Sequence, residues 1–305
     1  MKIVVLDGNT ENPGDLSWAE LEKLGNVTVY DFSESAEACA RMINAEIVLT
    51  NKTVISREMI EQSTRLRMIG VLATGFNVVD IDAAAERCIP VCNVPSYATE
   101  AVAQYTFALL LELCHRVGAH DRAVQEGRWT QGKEFCFWDY PQIELNGKTM
   151  GLIGYGRIGQ AVGRIAAAFG MKVLHFSPSG REGGDSLEEV LRQSDVLSLH
   201  CPLTAENHHL INAETLALMK PSAFIINTSR GALIDEQALI AALKAGKLAG
   251  AGLDVQEHEP LQSSSELFKM ENVLVTPHMG WKGLETRQRL VSILAGNVKG
   301  FLEGK

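Results

Sequence analysis

The stretch Gly151-Leu-Ile-Gly-Tyr-Gly-Arg-Ile-Gly159 constrains this chain more than any other. Its glycines at 154, 156 and 159 have the G-x-G-x-x-G spacing of a phosphate-cradling turn. Lys148-Thr-Met-Gly-Leu-Ile precedes it and is mostly apolar, as a buried strand is. Gln160-Ala-Val-Gly-Arg-Ile-Ala-Ala-Ala-Phe follows, apolar at helical spacing. Strand, turn and helix are the setting the pattern requires. Gly154 permits the tight turn, Gly156 lets a pyrophosphate reach the backbone, and Gly159 lets helix and strand close up. The helix N-terminus then offers free N–H groups and a positive dipole end. A dinucleotide site begins halfway along the chain.

What surrounds that loop sets the architecture. A chain of 305 residues fits two domains. Short apolar runs at residues 3–6, 27–30, 47–50, 68–72 and 91–93 predict parallel strands. Helical stretches at 16–24 and 36–43 lie between them, which makes a doubly wound α/β unit. Residues 99–116 read as a long apolar helix, and 127–141 as an irregular aromatic stretch. A second alternation places strands at 149–153, 172–176, 196–199, 223–227, 250–253 and 273–275. A final amphipathic helix spans 284–302. The cofactor domain, residues 99–282, is therefore expected as an insertion into a first domain of residues 1–98 and 283–305. Such a layout predicts a cleft for a small molecule between two lobes.

Composition excludes several functions. The net charge of −9 provides no basic field for nucleic acid or an anionic membrane. No run of 18 apolar residues suggests a membrane span. The first residues read as a strand rather than a signal peptide. The six cysteines are scattered, and Cys88 and Cys92 lack the partners of a zinc pattern. Reduced core thiols in a cytoplasmic protein, with no metal, are expected.

NAD-selective folds usually place an acid about 20 residues past the glycines. Here Ser177 occupies that position, with Ser179 and Arg181 beyond it. A serine neither repels nor demands a 2′-phosphate, and Ser179 and Arg181 can bind one. The cofactor is thus NAD(H) or NADP(H), with NADP slightly favoured. Arg181 reads equally as a solvated loop residue.

Three polar residues follow predicted strands downstream: Arg230, Glu259 and His278. Ligands of open α/β sheets bind beyond the carboxyl ends of strands. Hydride transfer to a carbonyl leaves an alkoxide that needs a proton, and histidine gives one near neutrality. A carboxylate beside it fixes the ring. An arginine grips a substrate carboxylate at two points. Each residue also has a plainer reading, as surface arginine, loop charge or helix cap. His258 and the pair His208 and His209 read as bystanders.

Seven motifs in order resemble the D-2-hydroxyacid dehydrogenases over nearly the whole chain. They are Gly70-Val-Leu-Ala-Thr-Gly-Phe-Asn77, Gly151 to Gly159, Ser198-Leu-His-Cys-Pro-Leu-Thr204, Ile226-Asn-Thr-Ser-Arg-Gly231, Gly252-Leu-Asp-Val255, Glu259-Pro260 and Thr276-Pro-His278. The resemblance implies a Rossmann-type cofactor domain inserted into a flavodoxin-like substrate domain. It implies His278 as acid/base, Glu259 as its partner and Arg230 as substrate clamp. The N–H groups of Ala73, Thr74 and Gly75 would take the substrate carboxylate, with Phe76 facing the substrate side chain. Thr74, Tyr155, Arg157, Ile158, Cys201, Pro202, Thr204, Thr228, Ser229, Asp254 and Gly280 would join the glycines around the cofactor. Asp254 is expected at the nicotinamide carboxamide.

Within the family the chain most resembles glycerate dehydrogenases, also called hydroxypyruvate reductases, in Asn51-Lys-Thr, Tyr97-Ala-Thr-Glu-Ala-Val-Ala-Gln and Phe135-Cys-Phe-Trp-Asp-Tyr. Those enzymes interconvert D-glycerate and hydroxypyruvate and often reduce glyoxylate. In relatives the stretch around Trp138 and Tyr140 forms an arm across a two-fold dimer, so a homodimer is expected. Two other readings stay open. One is a D-lactate-type dehydrogenase of another small 2-oxo acid. The other is an NADH-sensing corepressor, which would be expected to carry disordered extensions and a peptide-binding groove.

Overall fold

The computed structural model describes residues 1–180 and 183–304. Arg181, proposed above for a 2′-phosphate, lies outside the described residues. The chain divides into two compact units, Met1–Ala98 with the C-terminal stretch from Trp281, and Thr99–Gly280. The return falls two residues before the expected boundary at 283. Trp281 packs its ring edge-on against Tyr97, with centroids 6.2 Å apart, and Lys282 Nζ donates to the Thr10 carbonyl.

The first unit is built on strands β1 (Lys2–Val5), β2 (Asn26–Val29), β3 (Ile47–Thr50), β4 (Met68–Val71) and β5 (Val91–Cys92). They pair in parallel in the order β2-β1-β3-β4-β5, the flavodoxin-like arrangement. Helices α1 (Ala19–Glu22), α2 (Ser35–Met42), α3 (Arg57–Gln62) and α4 (Ile81–Glu86) connect them. α1 is shorter than the 16–24 expected. The Asn12 side chain both accepts from Leu16 N and donates to Leu16 O, so this stretch is held as a clamped loop.

The second unit opens with α5 (Thr99–His115), α6 (Val117–Gln125) and α7 (Arg128–Gln131). Arg116 adopts φ +49° and breaks the helix there. Neither α6 nor the short α7, inside the stretch read as irregular, was expected. Then follow β6 (Thr149–Ile153), α8 (Arg157–Ala168), β7 (Lys172–Phe176), α9 (Leu187–Gln193), β8 (Val196–Leu199) and α10 (Ala213–Leu216). After these come β9 (Phe224–Asn227), α11 (Glu236–Lys244), β10 (Gly250–Leu253) and β11 (Val273–Val275). The parallel sheet runs β11-β10-β9-β8-β6-β7.

Side chains alternate across this sheet, and both faces are buried. Met150, Leu152, Val196, Phe224 and Ile226 pack with Phe107, Leu110, Ala161 and Val162 of α5 and α8. Ile153, Leu197, Leu199, Ile225 and Leu253 pack with Val190, Leu191, Leu239 and Leu243 of α9 and α11. The sheet changes winding direction between β6 and β8. The connections leaving those two strands therefore turn away in opposite directions along the sheet, and such a switch point is where these sheets hold ligands. α12 (Leu284–Leu302) returns to the first unit and packs on α1 and β4. Among the described residues no helix is long and apolar enough to cross a membrane.

Candidate active site

The glycine loop lies at that switch point. Gly154 has φ +94°, and a Cβ on it would stand 2.6 Å from Cys201 N, so the β6 and β8 loops touch at a spacing only glycine allows. A Cβ on Gly159 would stand 2.1 Å from Gly154 O, which holds the turn against the first turn of α8. Gly156, the N-cap of α8, has nothing within 4 Å of its Cβ position. Two glycines are thus required by protein packing and the third leaves open space. That space faces the unbonded N–H groups of a 12-residue helix, the first turn of which contains Arg157 and Ile158. A cofactor pyrophosphate fits this cradle.

Tyr155 stacks on His175 of β7 with ring centroids 4.0 Å apart. Ser177 leaves the end of β7, and Gly180 N donates to its carbonyl, so Ser177 and Ser179 share one turn. On the β8 side, Asn207 orders the turn of Cys201, Pro202 and Thr204. Its Oδ1 accepts from Thr204 N at 2.7 Å and its Nδ2 donates to Pro202 O at 2.8 Å. Ser229 Oγ donates to Cys201 O at 2.5 Å, while Thr228 pairs with Thr106 of α5 at 3.2 Å. The sequence pointed to neither Asn207 nor Thr106, because each acts only by holding a neighbour.

Arg230, Glu259 and His278 lie on the loops after β9, β10 and β11. His278 Nδ1 lies 2.8 Å from Glu259 Oε2, and Glu259 Oε1 accepts from Gln256 N at 3.1 Å. The carboxylate accepts the Nδ1 proton, which leaves Nε2 as the nitrogen available for chemistry. His278 adopts φ +52°, uncommon for a residue with a side chain. The surroundings enforce it: His278 N donates to Asp254 O at 2.8 Å and to Thr276 O at 3.0 Å.

Asp254 is the anchor of this turn. Its Oδ1 accepts from Thr276 Oγ1 at 2.7 Å and Met279 N at 2.8 Å, and Oδ2 accepts from Gly280 N at 2.8 Å. The residue is 1% exposed, and burial raises its pKa against the lowering effect of these donors. Asp254 thus stands behind the His278 loop, engaged by its own chain.

Arg230 follows β9. Its carbonyl accepts from Asn227 Nδ2 at 2.9 Å, and its guanidinium donates to Ser229 O at 2.8 Å. A Cβ on the next residue, Gly231, would stand 1.9 Å from the Gln256 carbonyl carbon. The Arg230 turn therefore lies directly against the segment that leads to Glu259. The Arg230 turn and the segment that carries Glu259 are thus joined through this backbone contact.

In the first unit, the turn after β4 carries Ala73, Thr74, Gly75 and Phe76. Asn93 Nδ2 donates to Thr74 O at 2.7 Å, Thr74 Oγ1 to Val94 O, and Val94 N to Ala73 O. The N–H groups of Ala73, Thr74 and Gly75 have no acceptor among the described residues. Phe76 is 48% exposed.

The chain is similar to known proteins over most of its length. The family model for D-isomer specific 2-hydroxyacid dehydrogenase, NAD binding domain, matches residues 107–280. A hydroxypyruvate reductase of Blautia hydrogenotrophica is 49% identical, covering 100% of this chain and 98% of its own length. A glycerate dehydrogenase of Methylorubrum extorquens is 41% identical over 88% of this chain and 86% of its own. The solved structure of an acyclic imino acid reductase with NADPH and D-arginine superposes with a TM-score of 0.89 at 33% identity, covering 100% of this chain and 98% of that one.

Proposed function

Since the chain belongs to the D-isomer-specific 2-hydroxyacid dehydrogenase family, an NAD(P)-dependent group of oxidoreductases, we propose that it reduces hydroxypyruvate to D-glycerate and accepts glyoxylate as a smaller substrate. The observation that carries the chemistry is the His278–Glu259 pair, held at 2.8 Å on a turn that Asp254 fixes.

A reduced nicotinamide bound in this cradle would supply the hydride. His278 Nε2 gives its proton to the carbonyl oxygen as negative charge develops there, and takes it back in the reverse direction. Glu259 holds the Nδ1 proton and stabilises the imidazolium form. Arg230 grips the substrate carboxylate and draws electron density from the adjacent carbonyl. The unpaired N–H groups of Ala73, Thr74 and Gly75 suit an anionic carboxylate. Phe76, aromatic and half-exposed, limits the side chain to a small group. The cradle of Gly154, Gly156 and Gly159 holds the pyrophosphate, with Tyr155, Arg157, Ile158, Ser177, Ser179, Cys201, Pro202, Thr204, Thr228, Ser229 and Gly280 around the rest of the cofactor. Asp254 acts first as a positioning residue. Serine rather than an acid at position 177 supports use of NADPH as well as NADH.

The substrate rests on the two relatives named hydroxypyruvate reductase and glycerate dehydrogenase. A homodimer is supported by the apolar side chains left open on α6, α7 and the following stretch, among them Val117, Trp129 and Trp138. Oxidation of NADH and of NADPH by purified protein, with hydroxypyruvate, glyoxylate and pyruvate side by side, tests this reading. Fastest turnover with hydroxypyruvate supports it. Preference for pyruvate moves the protein to the D-lactate type, and tight NADH binding without turnover revives a sensor.

A further inference from the structure

His208 and His209 play no part in the chemistry above, yet the fold gives them a common partner. Glu257, from the loop between β10 and β11, lies with its Oε1 2.9 Å from His209 Nε2. The rings of His208 and His209 stack with centroids 4.0 Å apart and a 35° tilt. One ligand atom from each of the three side chains lies within 4.8 Å of the others, and His208 is exposed while the other two are half-buried.

Histidines adjacent in sequence usually point apart. Here His209 takes φ +52°, which turns its ring back beside its neighbour. The turn is pinned on both sides: His209 N donates to Ala232 O at 2.9 Å, and Asn212 Nδ2 donates to His209 O at 3.1 Å. The Glu257 side is pinned as well, because its backbone lies against Gly231. Glu236, at the start of α11, lies beside Glu257.

We propose that His208, His209 and Glu257 form a binding site for a divalent transition metal of the zinc type. Two imidazoles and one carboxylate are a ligand set that zinc accepts, with water at the fourth position. Metal–ligand bonds near 2.1 Å put tetrahedral ligand atoms about 3.4 Å apart. Glu257 and His209 need separate only slightly, and exposed His208 has room to swing in. The metal takes the place of the direct contact between His209 Nε2 and Glu257 Oε1. Glu257 lies two residues before Glu259 on the same loop, so an occupied site ties that loop to the turn of residues 204–212. This assignment does not depend on which acid the protein reduces.

The test uses full-length protein without a histidine tag, stripped of metal with chelator and titrated calorimetrically with zinc chloride. Wild type is expected to bind one equivalent. His208→Ala and Glu257→Gln should each weaken that binding by at least about tenfold, since even outer-shell losses reach that size. Zinc should also raise the melting temperature of wild type and leave His208→Ala unmoved. His208 is exposed, so its removal leaves the fold intact, checked by circular dichroism and NADH binding. Absence of binding by wild type overturns the proposal. Equal affinity in wild type and His208→Ala also overturns it, and places the metal on the exposed thiols of Cys88 or Cys136.

Discussion

The carboxylate of Asp254 accepts the backbone N–H of Gly280 at 2.8 Å and so closes the turn that presents His278. The other oxygen holds Met279 N and Thr276 Oγ1. Asp254→Asn preserves volume but leaves one acceptor oxygen where two amide groups and a hydroxyl now bond. A buried N–H then loses its partner, which costs about 1–3 kcal/mol. Turnover should fall roughly 5- to 100-fold, with a smaller change in the affinity for NADH. Kinetics and cofactor titration of the same preparation check this. A large loss of NADH affinity with intact turnover would instead assign Asp254 to the cofactor directly.

Gly156 and Gly159 make opposite predictions for the same substitution. Gly159→Ala drives a methyl group into Gly154 O, 2.1 Å from its Cβ position, and should destabilise the fold by about 1–3 kcal/mol or more. Gly156 has negative φ and open space, so Gly156→Ala should melt like wild type. Its methyl group instead enters the volume assigned to the pyrophosphate and should weaken NADH binding by at least about tenfold. Melting curves with and without NADH separate the two.

Glu11 sets a pH dependence of stability unrelated to catalysis. The residue is fully buried, and neither carboxyl oxygen makes a hydrogen bond of good geometry among the described residues, although Asn51 lies beside it. Burial, and then the Asp7 charge, raise its pKa well above 4.5, although Lys282 opposes the shift. Arg287 also faces this segment, donating to the Glu11 carbonyl and paired with Asp15. The folded state therefore holds a proton that the unfolded state releases near pH 4.5. Stability falls as pH rises from there to the folded pKa. Glu11→Gln removes this slope, and its amide can donate to the Asn51 side chain beside it, whose Oδ1 has no partner among the described residues. The variant should melt above wild type at pH 8, with the difference shrinking toward pH 5. An equal difference at both pH values would show that Glu11 is ionised throughout.

Much of the frame was legible because it rests on local signals. Alternating apolar runs marked strands of both sheets, and the glycine spacing at 154, 156 and 159 marked the cradle. What the sequence concealed is tertiary. Asn12 shortens α1 by bonding across a loop, and the chain resumes as α6 directly after Arg116, where the sequence reading ended its helix. Arg230, Glu259 and His278 could be singled out by residue type at strand ends. The hydrogen bonds of Asp254 could not, since they reach a hydroxyl and two backbone N–H groups beyond the next strand. The meeting of His208, His209 and Glu257 was hidden for the same reason: 48 residues separate His209 from its carboxylate.

The most direct measurement is the turnover of hydroxypyruvate by wild type and by His278→Gln, with NADH affinity measured for both. Loss of a positioned proton donor predicts a fall of about 10²- to 10⁴-fold in kcat with NADH binding unchanged. A variant that keeps kcat within a few-fold of wild type would contradict the assignment of His278 as the acid/base, and with it the mechanism.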